Sequence, residues 1–175
     1  SSFQVHPTAS SGLAVALAGT AGICSVTADP VQLGAFDVTM LAGTGTCHLT
    51  ASQPGGSNYN AATDVSSDVA AAKAGQTITF DPLAGKVFGD ADFGVSASAS
   101  SGLTVAFAAS GDCTLSGATV HITSAGNCAI TASQGGNGNY SAATEVERSF
   151  AVAKAPTTVA VSFVEERERV IRQQQ

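Results

Sequence analysis

Apolar and polar residues alternate along most of this chain. Between residues 76 and 154 the apolar positions fall two apart: Ile78 and Phe80, then Val95, Ala97 and Ala99, then Leu103, Val105 and Phe107. Cys113 and Leu115 follow, then Val120 and Ile122, then Cys128, Ile130 and Ala132, and finally Val146, Phe150 and Val152, with a slip expected near Ser149. Side chains of a strand point to its two faces in turn, so each run predicts a short strand with one apolar face. Clusters of Gly, Ser, Asn and Asp break the runs every roughly 8 to 15 residues, which is the punctuation of an all-β sandwich. Residues 1–154 carry no convincing helical period.

The pattern is written twice. Ala132-Ser133-Gln134-Gly135-Gly136-Asn137-Gly138-Asn139-Tyr140 reappears, lightly edited, as Ala51-Ser52-Gln53-Pro54-Gly55-Gly56-Ser57-Asn58-Tyr59. Phe93 to Phe107, with Ser100-Ser101-Gly102-Leu103, is echoed by Phe3 to Leu17, with Ser10-Ser11-Gly12-Leu13. A period of about 80 residues predicts two tandem domains, residues 1–73 and 74–154. The first copy differs by eight more residues between its cysteines, including Ala28-Asp29-Pro30-Val31-Gln32-Leu33-Gly34, a turn excursion at a loop tip. Such an insertion is a tolerated surface loop or a partner contact.

The copies are cut differently. The second opens with Gln76-Thr77-Ile78-Thr79-Phe80, whereas the first begins almost on Phe3, so its opening strand is expected to be missing. Ala153-Lys154-Ala155-Pro156-Thr157-Thr158-Val159-Ala160-Val161 aligns with the 72–80 segment and stands at the opposite end. Residues 155–163 are therefore a candidate spare strand.

The four cysteines fall as one pair per copy, Cys24 with Cys47 and Cys113 with Cys128. Repetition makes pairing within each copy the natural connectivity, ahead of free thiols or a metal site, since zinc sites use closely spaced doublets. All four lie on the apolar parity, so each bridge is expected to cross the core. Disulfides persist in oxidising compartments and point to an exported chain.

Charge narrows the function further. Charged residues make up 11% of 175, with a net charge of −6. Nucleic-acid binding needs clustered Lys and Arg, and residues 1–154 hold only Lys73, Lys86, Arg148 and Lys154. No apolar run approaches the ~20 residues of a membrane-spanning helix, so no membrane insertion is expected. Motifs of serine hydrolases, zinc proteases and nucleotide-binding loops are absent, and we expect neither catalytic residues, a metal site nor a cofactor. His48 and His121 sit on the outward parity, and His6 is isolated from both. Asp90 and Asp92 read as an ordinary turn, being too few for calcium. Asn139-Tyr140-Ser141 is a formal glycosylation sequon, and Lys73 and Lys154 are candidates for isopeptide bonds that internal disulfides make redundant. In the tail, residues 164–175, Glu165 with Arg169 and Glu168 with Arg172 are favourable i,i+4 pairs, expected as a short helix or a solvated end.

Gln76-Thr77-Ile78-Thr79-Phe80, the Phe88-Gly89-Asp90-Ala91 turn, Ser100-Ser101-Gly102-Leu103, Ile130-Thr131-Ala132-Ser133-Gln134, Gly138-Asn139-Tyr140 and Phe150-Ala151-Val152-Ala153-Lys154-Ala155 carry a family likeness. The chain resembles, over residues 1 to about 161, the bacterial immunoglobulin-like repeats strung along very large secreted surface proteins. That resemblance implies two tandem immunoglobulin-like sandwiches in a stalk, adhesin or surface fibre. The cysteine pairs and the charged tail depart from it.

A sandwich without its first strand exposes an apolar groove and unpaired backbone. Phe3, Val5, Val15 and Leu17 are the expected acceptor residues, and Thr157, Val159, Val161 and Phe163 the expected donor residues. Donation to another copy is expected to build a head-to-tail homopolymer on the bacterial surface. The alternatives are a piece of a longer stalk, closed by upstream sequence, or a module binding a host or surface ligand. Scarce aromatics speak against a sugar platform.

Overall fold

The computed structural model describes residues 1–162, and within them the chain is all β, with no helix. Six strands form residues 2–70: β1 Ser2–Val5, β2 Ala16–Ala18, β3 Cys24–Ala28, β4 Phe36–Met40, β5 Thr46–Ser52 and β6 Val65–Ala70. They make two antiparallel sheets, ordered β1-β4-β3 and β2-β5-β6. Residues 78–153 form β7 Ile78–Phe80, β8 Lys86–Val87, β9 Phe93–Gly94, β10 Ala97–Ala99, β11 Ala106–Gly111, β12 Cys113–Ser116, β13 Thr119–Ile122, β14 Gly126–Ser133 and β15 Val146–Ala153. Their sheets run β9-β13-β12 and β11-β14-β15-β8, with β7 and β10 paired separately. No sheet shares strands between the two halves.

The second half repeats the first in register. Phe3 faces Val38 as Phe93 faces Val120, and Leu17 faces Ala51 as Phe107 faces Ala132. Cys47 faces Val69 as Cys128 faces Phe150. A one-residue slip would turn every apolar side chain to water, so a shared hydrophobic pattern dictates a shared register. Each half has its own core. Val38, Cys47 and Leu49 are buried in one, while Val120, Cys128, Ile130, Phe80 and Phe150 are buried in the other.

Each core is stapled as the cysteine parity predicts. Cys24 on β3 bonds Cys47 on β5, and Cys113 on β12 bonds Cys128 on β14, so both disulfides join facing sheets. Such bonds belong to an oxidising, non-cytoplasmic compartment. No helix of the described residues is long and apolar enough to cross a membrane.

One expectation needs correction. The slip near Ser149 does not occur: β15 alternates without interruption, and Arg148 takes the inward position between Val146 and Phe150. Its stem lies half-buried while Nε donates to the carbonyl of Phe80 at 2.9 Å. A long cationic side chain can cover apolar surface and still place its head on a polar partner. That carbonyl at the end of β7 explains the charge on an apolar parity.

The insertion of the first copy is a fastened loop. Asp29 accepts the backbone N–H groups of Val31 at 2.7 Å and Gln32 at 3.0 Å, and the Gln4 amide at 2.6 Å. Those bonds, that of Gln32 first, hold its carboxyl below the ordinary value of 3.8. Val31 and Leu33 project into solvent from its tip.

Candidate functional site

The second half shows how an opening strand is held. The chain enters beside the Gly-rich loop, where Ala74 bridges Tyr140: its N–H donates to the Asn139 carbonyl at 2.8 Å and its carbonyl accepts the Ser141 N–H at 2.9 Å. Gln76 then reaches into the loop, its Nε2 donating to Gln134 Oε1 at 2.5 Å and to the Ser141 carbonyl at 2.7 Å. The Ser101 hydroxyl donates back to Gln76 Oε1. Thr77 and Ser100 exchange bonds at 3.0 and 2.9 Å, and β7 runs antiparallel to β10, with Phe80 opposite Ala97. Phe80 ends buried, its ring centroid 5.6 Å from that of Phe107.

The first half carries a similar arrangement of residues, with no strand beside it among the described residues. Register and loop geometry place Ser10, Ser11, Gln53 and Asn60 where Ser100, Ser101, Gln134 and Ser141 stand. The loops share backbone bonds: Ala62 N donates to Gln53 O as Ala143 N does to Gln134 O, each at 2.9 Å, and Gly56 N donates to Tyr59 O as Asn137 N does to Tyr140 O. Both depend on a left-handed glycine, Gly55 at φ +85° and Gly136 at φ +76°. A Cβ at Gly55 would stand 2.6 Å from the Tyr59 carbonyl, so only glycine closes this turn. Residues 7–9, the counterpart of β10, have no strand partner among the described residues.

Two cavities lie over these residues. One of about 520 Å³ lies over residues 7–11, Val15, Gln53, Tyr59 and Val65. The other, about 260 Å³, continues it over Phe3, Val5, Leu17, Leu49 and Val69. Their linings carry no charged side chain. Val65 is 69% exposed here, whereas its counterpart Val146 is half-buried under the strand that covers it. The outer edge of β6 is likewise unpaired among the described residues, while β15 there carries β8 in parallel. An apolar floor thus lies beside a sheet edge that is unpaired among the described residues.

The residues expected from sequence fall out as follows. Phe3, Val5 and Leu17 line the smaller cavity and Val15 the larger, so the four proposed acceptor residues share one trough. Residues 154–162 belong to no strand. Val159 and Val161 are exposed, and Thr157 lies beside Phe88, Thr123 and Ala125 of its own half. Phe163 and the expected tail helix lie outside the described residues. Among the described residues, then, the candidate donor is not seated in the candidate acceptor of its own chain.

Sequence reasoning missed Ser11, Gln53 and Asn60, although the repeat itself aligned Ser11 with Ser101 and Gln53 with Gln134. The signal was present, but the polar residues of a Gly-rich loop read as turn formers. His48 and His121 face solvent as expected, each paired with a carboxylate, Asp68 and Asp92. Asp90 accepts the Val87 N–H at 2.9 Å within its turn. The Asn139 side chain of the sequon accepts the Gly43 N–H at 2.9 Å, tying the two halves together. Among the described residues no group of three or more His, Cys, Asp or Glu side chains is placed to hold a metal.

No protein-family model matches the chain, and no curated protein matches it.

Proposed function

We propose that this chain is a structural module of an extracellular bacterial fibre: two tandem immunoglobulin-like sandwiches, the first completed by a strand from another copy. The donor is the 157–163 segment, which carries no charge and repeats the parity of β7. Val159 matches Ile78 and Val161 matches Phe80, so both would face the apolar floor. Neutral donor and neutral trough suit each other, since neither buries an unpaired charge. One observation carries the reading: the first half retains Ser10, Ser11 and Gln53, the counterparts of the Ser100, Ser101 and Gln134 side chains that hold 76–77 in the second, beside an apolar cavity. A head-to-tail contact of this kind does not close on itself and yields an open filament. Catalysis has no part in this role, and the disulfides harden each unit.

A second reading rests on the path of the chain itself. The segment that leaves the first half closes the second in cis, through Ala74 and β7. In a longer array each sandwich would be completed in that way by the segment before it, making the chain a piece of a stalk. Purified chain separates the readings by size-exclusion chromatography and negative-stain imaging. Strand donation predicts polymers that disappear when residues 157–175 are deleted. Monomers at all concentrations, or polymers that survive the deletion, refute the carboxyl-terminal donor.

A further inference from the structure

We infer that the first-half groove is selective for a strand whose leading residue is glutamine, four positions before its large apolar plug. This rests on the strand-acceptor reading and specifies the occupant. In the second half the Gln76 carboxamide satisfies three partners at once: Gln134 Oε1, the Ser141 carbonyl and the Ser101 hydroxyl. Their counterparts Gln53, Asn60 and Ser11 are all present and already oriented. Gln53 is 6% exposed, and its Oε1 is held by the Gly55 N–H at 3.0 Å, as Gln134 Oε1 is held by Gly136 at 2.6 Å. Its Nε2 has only a long 3.4 Å contact to the Gly55 carbonyl. Ser11 Oγ accepts the Leu13 N–H at 3.3 Å, as Ser101 Oγ accepts that of Leu103, which leaves its O–H free to donate inward.

Gln134 Oε1 accepts two N–H groups, from Gly136 and Gln76, whereas Gln53 Oε1 accepts one, from Gly55, so a matching carboxamide Nε2 fills its second acceptor place. The chain's own carboxyl-terminal strand cannot do so. Thr157 stands at the Gln76 position, and a hydroxyl on Cβ falls two carbons short of where the carboxamide reaches. The 157–161 strand is therefore a loose, exchangeable occupant. The tight occupant is a strand of the Gln76-Thr77-Ile78-Thr79-Phe80 type, carried by a neighbouring repeat.

The test is fluorescence anisotropy with dye-labelled peptides added to the full chain. The peptides are residues 72–83, the same peptide with Q76T, residues 153–163, and the same with T157Q. The chain's own tail competes equally with all four, so ratios are unaffected. One net hydrogen bond corresponds to about tenfold at its upper range, so the glutamine form of each pair should bind about tenfold or more tightly. Substituting S11A in the chain should shrink that ratio. Equal binding of the glutamine and threonine forms overturns the selectivity while leaving the acceptor groove standing. If no peptide binds, the groove is not a strand acceptor and both readings fall.

Discussion

Replacing Phe80 with alanine measures what the opening strand contributes to a completed sandwich. Phe80 is 3% exposed, and its ring packs on Phe107 at 5.6 Å between centroids. Truncating a buried phenylalanine costs about 3–5 kcal/mol in lost burial and residual cavity. The bond from the Arg148 side chain to the Phe80 carbonyl needs no ring, so the loss reports the ring alone. With a urea dependence of about 1–3 kcal/mol/M for a small domain, the midpoint should fall by about 2 M. The two cores share no residue, so only the second half should shift. Urea unfolding followed by backbone-amide NMR resolves the halves separately. Thr79→Ala, on the exposed face of β7, is the control and should change stability by less than about 0.5 kcal/mol. A loss below about 1 kcal/mol for Phe80→Ala, or an equal shift in both halves, would refute the view that β7 plugs one core. The same vacancy in the first half would then carry no energetic demand for a donor.

Three further outcomes follow from the same geometry. Reducing both disulfides, which close loops of 23 and 15 residues, should cost each half about 3 kcal/mol, seen as an earlier urea transition with dithiothreitol. Gly136→Ala forces a Cβ to 2.4 Å from the Tyr140 carbonyl at φ +76°, and should cost at least about 1–3 kcal/mol by thermal melting; Gly138→Ala meets nothing within 4 Å and should be near neutral. Acid should destabilise through Asp112, whose carboxyl is held below 3.8 first by the Ser124 hydroxyl and then by the Asn127 N–H. A lowered folded-state value gives stability that is present above the unfolded value and lost as pH falls through the folded one. Asp112→Asn should therefore flatten the decline in urea midpoint below about pH 4, and an unchanged acid limb would exclude Asp112 as its source.

The strands were most legible where alternate residues meet water. Phe107 and Ala109 on β11, or Phe150 and Val152 on β15, announce themselves by parity because the residues between them are exposed. The disulfide pairing was legible for a related reason, since a duplicated pattern implies duplicated bonds. The slip expected near Ser149 does not occur, because Arg148 takes an inward position whose carbonyl partner only the structure reveals. Ser11, Gln53 and Asn60 were hidden for a different reason. They are 42 and 49 residues apart along the chain from Ser11 onward, and their turn-like chemistry conceals a shared purpose. Only the folding of the Gly55 loop against residues 7–11 brings them to one trough.

Alternation, repetition and cysteine parity, all local properties, determined that this chain is all β, written twice and internally stapled. An open strand position was an expectation of the repeat; which side chains come together over residues 7–11 was decided only by the tertiary structure. A groove is made by residues distant in sequence meeting across two sheets, and its vacancy is a property of what packs there. The pattern of any single strand holds no record of its neighbour.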